Sequence, residues 1–434
     1  MRGPILCLAG MLHASTGLFA AEPVESLPIP LTPWIEQLGD KDFRKREAAA
    51  RFLEQQGNRG LKELTGARQH PDPEVRRRVE TLALRIERQL LVAPTRLNLR
   101  FQQAKIADVV AAISQESGFV VRNGGDNRKL ITINLDHVTY WEAIDRICEQ
   151  AGLMFSDQGD GTIVLYPNDS DTPFVQYVGP LRIQAVNLNL NRIANLSGMP
   201  RRNRGSMNIQ ETLIFSFQIN AEPKSPILSM GQPIVVEALD NRGQDMRLTA
   251  PNGQFFSNYP QQMYRNFSQS SALNLRRGDL PATHMHLLRA KVPMMLLGKQ
   301  IPEIVIENIT KQKNAKFTGR TAEVEVIEVS TPNPGAGNPV QCTLMIRQIG
   351  KNANQDGSWT SSVPQRLELT DAQGRKYQSQ GISNYLDGNG ASLKAVFQFS
   401  PSDGAIGAPA KLTLNEWIPE PFEAKLEFRN IPLP

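Results

Sequence analysis

A short internal repeat constrains the fold of this chain more than any other sequence feature. Residues 97–101 and 131–135 both alternate apolar and polar side chains, and the likeness continues at the same offset through the segments that follow. Each copy predicts a strand, an amphipathic helix that ends at a glycine (Gly118 or Gly152) and a returning strand. A last strand over 162–166 completes the order βαββαββ, and we expect one small shared sheet with both helices on its face.

The repeat also predicts which side chains of this module are buried. Ile113 and Ile147 take equivalent positions on the apolar faces of the two helices, so both should lie in the core. Arg122 and Asp145 fall on the polar sides of their elements. We therefore expect them to face solvent.

Two phrases within residues 95–167 resemble the secretin and TonB short N-terminal (STN) domain. They are residues 138–144, Val-Thr-Tyr-Trp-Glu-Ala-Ile, and residues 150–153, Gln-Ala-Gly-Leu. That domain is a periplasmic module of outer-membrane secretins and of signalling TonB-dependent receptors, where it contacts other envelope proteins. The resemblance implies protein–protein contacts and no chemistry, so the edge strands and helix faces of residues 95–167 are candidate interaction surfaces. A generic small α/β sandwich formed by duplication is the alternative.

The segment before this module, residues 32–92, has the spacing of short helices. Thr32-Pro33 and Asp72-Pro73 are helix-start signals, and Gly39 and Gly57 are expected helix ends. Residues 43–49 and 71–78 resemble HEAT-like repeats, which stack helix pairs, and the resemblance implies a small docking or spacer module.

A basic triplet in that segment, Arg76, Arg77 and Arg78, is a candidate interaction surface. Three adjacent guanidinium groups suit phosphate or acidic lipid headgroups, although a solvated helix face is the commoner explanation of such a run. Over the whole chain, 48 basic residues face 43 acidic ones, a net charge of +5. Most of the excess lies in residues 33–91, where 13 basic and 10 acidic residues are mixed along the helices. We therefore expect no nucleic-acid partner.

The C-terminal half predicts β-sandwiches, because short apolar or alternating runs are separated by Pro, Gly and Asn. A strand that enters an Asp-x-x-Gly turn occurs at Asp240–Gly243 and again at Asp371–Gly374, which favours two copies of one sandwich. We place them at 175–315, with an inserted loop at 251–280, and at 320–434. The predicted fold class is thus multidomain α+β: a small helical segment, the βαββαββ module and all-β sandwich domains.

The inserted loop contains four aromatic residues among small polar ones: Phe255, Phe256, Tyr259 and Tyr264. Aromatic rings provide contact area at low entropic cost, so the loop is a candidate surface for polysaccharide or protein. The alternative is that the rings pack back onto the sandwich.

The N-terminus resembles an export signal over residues 1–21, with Arg2, a short apolar stretch and Ala20-Ala21. The sequence contains no run of 18 apolar residues, so no transmembrane helix is expected in the mature chain. Cys148 and Cys342 are predicted to be buried small side chains rather than a disulfide or nucleophiles. The expected location is the periplasm or cell envelope of a bacterium.

No pattern in the sequence predicts catalysis. Hydrolase, P-loop and dinucleotide motifs do not occur, so we expect no catalytic residues, cofactor or metal. His284 and His286 would share one face of a strand, although an isolated pair is seldom a metal site. The expected function is a non-enzymatic scaffold that contacts other envelope proteins, in association with an outer-membrane secretion or transport assembly. The first alternative is a glycan-binding envelope protein, and a less favoured one is a hydrolase.

Overall fold

The computed structural model describes residues 30–168, 172–195, 208–248, 263–331, 339–350, 357–401 and 406–434. The chain is a multidomain α+β protein, mostly β, with several antiparallel sheets and few helices, as predicted. It divides into two compact units, one up to Ile86 and one from Glu87 onward. The predicted signal, residues 1–21, lies outside the described residues.

The first unit is helical: α1 (Thr32–Gln37), α2 (Phe43–Gln55), α3 (Gly57–Gly66) and the part of α4 (Pro73–Val92) up to Ile86. The side chain of Asp42 caps α2 by accepting a hydrogen bond from the Arg44 amide at 2.8 Å. Helix α3 was not predicted, because glycines are poor helix formers. Gly57, the expected helix end, has a φ of 53° that turns the chain directly into α3. Gly60 is required there, since a Cβ would lie 2.2 Å from the Leu53 carbonyl oxygen.

The second unit begins with the predicted βαββαββ order: β1 (Arg96–Lys105), α5 (Ile106–Ser117), β2 (Val121–Asn123), β3 (Leu130–Thr139), α6 (Tyr140–Ala151), β4 (Leu153–Asp157) and β5 (Ile163–Pro167). Gly118 and Gly152 end the helices with φ values of 74° and 61°. The prediction of a single shared sheet was wrong. Equivalent strands β1 and β3 pair with each other, so the returning strands form a second sheet in the order β2-β5-β4.

The next strands build the first sandwich: β6 (Val175–Val178), β7 (Leu181–Asn195), β8 (Asn208–Ala221), β9 (Ile227–Met230), β10 (Ile234–Asp240), β11 (Ser268–Leu275) and β12 (His284–Glu307). Four of them form a sheet in the order β11-β8-β7-β6. One face of this sheet is apolar, with Ile183, Phe215 and Phe217 fully buried in the first core.

The second sandwich has a related order of elements: β13 (Ala315–Thr318), β14 (Ala322–Ser330), β15 (Val340–Gln348), α7 (Val363–Arg366), β16 (Leu367–Asp371), β17 (Gln378–Asn389), β18 (Ser392–Ser400) and β19 (Pro409–Pro432). Its main sheet is β13-β14-β15-β18-β17. The first four of these strands repeat the order β6-β7-β8-β11, and the turns at Asp240 and Asp371 follow the equivalent strands β10 and β16.

Strands β12 and β19 belong to both sandwiches. Each has 24 residues, about 80 Å at the usual rise, and they pair antiparallel along their length in a sheet of order β10-β12-β19-β16. Residues 285–296 and 424–431 contribute to the first core, whereas Ile304, Ile306, Leu412 and Leu414 contribute to the second. The predicted division into 175–315 and 320–434 therefore does not separate the two cores, because both strands cross between them.

Among the helices of the described ranges, every one is too short or too polar to span a lipid bilayer.

Candidate functional site

The outer face of the sheet β11-β8-β7-β6 carries polar side chains that the βαββαββ module covers. Along β7, Leu181 and Ile183 point into the first core, so Arg182 and Gln184 point to the opposite face. Only 2% of the surface of Arg182 is exposed. A cation removed from water in this way needs charged and polar partners.

Asp145 of helix α6 is the partner of Arg182. The Arg182 Nε donates to Asp145 Oδ1 at 2.9 Å and to Oδ2 at 2.8 Å, and Nη1 donates to Gln184 Oε1 at 2.7 Å. The guanidinium carbon also lies 4.9 Å from the centroid of the Phe155 ring. The charge is therefore paired, hydrogen-bonded and stacked.

Tyr177 completes this cluster from β6, where it is the direct cross-strand neighbour of Arg182. Its hydroxyl donates to Asp145 Oδ2 at 2.7 Å. Burial, followed by the negative charge of Asp145, raises the pKa of Tyr177, so the phenol stays a protonated donor. The expectation that Asp145 faces solvent was wrong, because its carboxylate turns toward the sheet and joins the two parts of the unit.

Two further contacts fix the module to the sandwich. Glu222, 1% exposed, accepts hydrogen bonds from the Thr95 amide at 2.9 Å and from the Thr95 hydroxyl at 2.6 Å. Burial raises the pKa of Glu222, against the opposing charge of Lys224. The indole Nε1 of Trp141 donates to the carbonyl of Pro180 at 3.3 Å. The module is thus held at three separate points.

A cleft of about 910 Å³ opens beside the Arg182–Asp145 pair. Helix α6 and strand β4 form one wall, and the outer face of the four-stranded sheet forms the other. Its volume is in the range of sites that hold small molecules or peptide segments. The side chains that give the cleft its polar character are those of Glu142, Arg146, Glu149, Asp157, Tyr166, Gln218, Asn220 and Ser268.

Carboxylates outnumber cations in the cleft. Glu142 pairs with Arg146, and Asp145 pairs with Arg182, but neither Glu149 nor Asp157 has a cation at ion-pair distance among the described residues. Desolvation raises the pKa of Asp157, although amide donors such as Gly159 oppose the shift. The cleft is therefore suited to a ligand with positive charge.

Cys148, which also lines the cleft, is not a reactive thiol. Burial, followed by the charge of Asp145, raises its pKa to about 12, so it stays protonated at neutral pH. The arrangement can bind a ligand through hydrogen bonds and charge, and this cysteine does not supply a nucleophile.

The basic triplet lies on α4 and is engaged with its own neighbours. Arg76 Nη1 donates to the carbonyls of His70 and Pro71 at 2.6 and 2.9 Å. Arg77 and Arg78 both pair with Glu74, at 3.1 and 2.8 Å. These contacts fit the solvated helix face that was the alternative to an anion site.

Of the four loop aromatics, Phe255, Phe256 and Tyr259 lie outside the described residues. Tyr264 is 36% exposed, and its amide donates to the Leu228 carbonyl at 3.2 Å. Phe267, in the same sequence stretch, is buried. The described part of the loop therefore brings no cluster of exposed rings together.

The two histidines lie on β12 with Met285 between them facing the first core. His284 Nδ1 is 3.1 Å from the Thr283 hydroxyl. No group of three or more His, Cys, Asp or Glu side chains in the described ranges is arranged to hold a metal ion.

Sequence reasoning indicated edge strands and helix faces of residues 95–167 as candidate surfaces but missed the cleft, because the polar residues that line it were expected to face solvent. Strand β6 was not predicted, so Tyr177 was not placed opposite Arg182 across the Gly179-Pro180 turn. That hairpin is the one local sequence feature that could have indicated the site. A tyrosine and an arginine opposite each other on one sheet face favour a shared hydrogen-bond partner. The identity of that partner, Asp145, depends on the packing of α6.

Searches against family models, curated protein sequences and solved structures return no match to this chain.

Proposed function

We propose that this protein is an exported, non-enzymatic interaction scaffold of the bacterial cell envelope. The observation that carries the proposal is the cleft between the βαββαββ module and the first sandwich, whose two walls are fixed by buried polar contacts. A partner that enters this cleft meets groups already in position, so it loses little free energy in ordering the site.

The architecture around the cleft also supports a scaffold. Strands β12 and β19 run through both sandwich cores, so a partner bound at the module is attached to an extended and continuous body. Fixed spacing between binding surfaces is what a protein that holds others in place requires.

Export and location rest on sequence. Residues 1–21 have the features of a signal peptide, and the likeness of residues 95–167 to STN domains suggests partners in the envelope. We would search for them first among outer-membrane secretion and transport assemblies.

The test combines cell fractionation with crosslinking. A C-terminally tagged full chain should be recovered from the periplasm or envelope without residues 1–21, and crosslinking should attach it reproducibly to specific envelope proteins. Recovery in the cytoplasm with the N-terminus retained would contradict export. Absence of any specific crosslinked protein from intact envelopes would contradict the scaffold function.

A further inference from the structure

Strand β4 lies at the edge of its sheet, and its free side opens into the cleft. Among the described residues, it pairs only with β5. The amide of Gln158 donates to the Thr162 carbonyl at 3.0 Å, and the amide of Asn168 donates to the Gly152 carbonyl at 3.1 Å. Since hydrogen-bonded pairs alternate in an antiparallel ladder, the even-numbered residues of β4 bond to β5. The odd-numbered ones point their main-chain groups away from it.

Those outward main-chain groups belong to Leu153, Phe155 and Asp157. No described residue accepts a hydrogen bond from their three N–H groups. All five residues of β4 line the cleft. If only one face of the strand bordered the cleft, only alternate residues would line it. The cleft therefore runs along the open edge of β4, over about 13 Å at the usual rise per residue.

The charges of the cleft specify the side chains that such an edge would select. Asp157 lies at one end of β4, half-buried and without a cationic partner among the described residues. Glu149, near the other end, is also without one. A Lys or Arg side chain of an added strand would neutralise either carboxylate. Across the cleft, Gln184, Gln218 and Asn220 present side-chain amides. These amides already bond to Arg182 or Ser268, which leaves their remaining donor and acceptor atoms for a partner.

We propose that β4 binds an extended, basic peptide segment of a partner protein as an added strand, with Asp157 paired to a Lys or Arg side chain of that segment. Main-chain hydrogen bonds to Leu153, Phe155 and Asp157 give the affinity, and the carboxylates give the selectivity. This inference rests on the proposed scaffold function and identifies the chemistry of the partner.

The test uses the full chain and labelled ten-residue peptides of alternating Thr and Val with Lys, Ser or Glu at the centre, followed by fluorescence anisotropy. The Lys peptide should bind about tenfold more tightly than the other two. Asp157→Asn, whose amide oxygen can still accept from Gly159, should remove that preference. Asp160→Asn is the matched control: this exposed neighbour does not line the cleft, so the preference should persist.

Strand addition has a second signature that needs no protein variant. N-methylation of the Lys peptide at successive positions should weaken binding at alternate residues only, because every second N–H would point toward β4. A loss without this alternation, an unchanged Lys preference in Asp157→Asn, or binding of cell-wall polysaccharide fragments but of none of the peptides would each overturn the proposal.

Crosslinking in envelopes separates this inference from the function on which it rests. If the wild type and Asp157→Asn capture the same envelope proteins in the same yield, the scaffold function stands and the assignment of the cleft is overturned. If Asp157→Asn loses a protein that the wild type and Asp160→Asn both capture, the assignment is supported.

Discussion

The guanidinium group of Arg182 is a charge removed from water and held by its neighbours. Asp145, Gln184 and the Phe155 ring surround it, and Tyr177 bonds to the same carboxylate. A buried pair of this kind contributes little net stability compared with an apolar pair of the same shape, but removal of one partner is costly because the other charge stays buried. The cluster therefore fixes a position more than it adds free energy.

We expect Asp145→Asn to lower the free energy of unfolding by about 3 kcal/mol, since Arg182 would lose its counter-charge. Urea denaturation followed by Trp fluorescence measures the change. The exposed Arg122→Ala should stay within about ±0.5 kcal/mol. Adding Arg182→Met to Asp145→Asn should recover part of the loss, and a double variant whose loss is the sum of the two single losses would argue against the pair.

Asp371 gives the second sandwich an acid dependence. Burial disfavours its ionisation, but the amide donors Gly407 and Arg375 and the Arg375 guanidinium outweigh burial and lower its pKa to about 2. The ionised group thus stabilises the fold above its ordinary pKa of 3.8, and this contribution is lost as the pH falls from about 4 toward 2. Asp371→Asn should lose less stability over that interval than the wild type. If urea titrations show that the wild type and Asp371→Asn lose the same free energy of unfolding between pH 4 and pH 2, the assignment is contradicted.

Burial could be predicted residue by residue where the side chain is apolar. Ile113 and Ile147 are both fully buried, as their helical spacing indicated. Asp145 could not be distinguished from Arg146 or Glu149, because all three lie on the polar side of α6 and only the packed sheet decides which of them is covered. Apolar periodicity identifies the face of a helix that packs on its own core. It carries no information about which polar residues another sheet will cover.

At the scale of elements, the repeat in the βαββαββ module extends to the backbone. Strand β3 and helix α6 begin and end at positions equivalent to those of β1 and α5. The non-glycine residues Gln103 and His137, also equivalent, both have positive φ, at 47° and 54°. The register of the β1–β3 ladder shifts twice along its length. The two halves are therefore copies in their irregularities as well as in their regular structure.

Equivalent positions should have similar energetic roles. We expect Ile113→Ala and Ile147→Ala each to cost about 2–5 kcal/mol, because both remove buried methyl groups from one core. Hydrogen exchange of the full chain should show faster exchange throughout α5 and α6 in both variants. A variant that unfolds with wild-type stability would show that its helix is misplaced in the core.

Strand limits were harder to predict than strand positions. In the sequence, apolar or alternating runs predict separate short strands at 303–306, 411–414 and 424–428. In the structure they are parts of β12 and β19, which continue through Gly298 and Pro302 in one strand and through Pro419 and Pro421 in the other. Register shifts next to Gly298 and Pro302 absorb the irregular residues, whereas sequence rules treat Pro and Gly as strand ends.

At the scale of the whole second unit, the two sandwiches share the long strands β12 and β19. The N-terminal half of β12 and the C-terminal half of β19 complete the first core, and their other halves complete the second. Leu228, Leu297 and Trp417 form a small buried cluster where both strands cross from one core to the other. The stability of each sandwich thus depends on residues distant from it in sequence.

Two leucines of β19 provide a matched test of this sharing of strands between the two cores. Leu412 and Leu426 are both buried, 1% and 2% exposed, and each Leu→Ala change should cost about 2–5 kcal/mol. Hydrogen exchange should locate the effect of Leu426→Ala in β7 and β8 and that of Leu412→Ala in β14 and β15. Both variants affecting the same sandwich would contradict the crossing.

The crossing also sets an order of events during synthesis. The ribosome finishes β7, β8 and the first half of β12 long before Ala424, Leu426 and Phe428, which close the same core. At ~5–20 residues per second, the intervening chain takes on the order of ten seconds to make. Throughout that delay the nascent first sandwich has an open side, because β12 pairs with β9 and β10 on one edge while its other edge waits for β19. A chaperone that shields this edge until translation ends would have a physical reason to act.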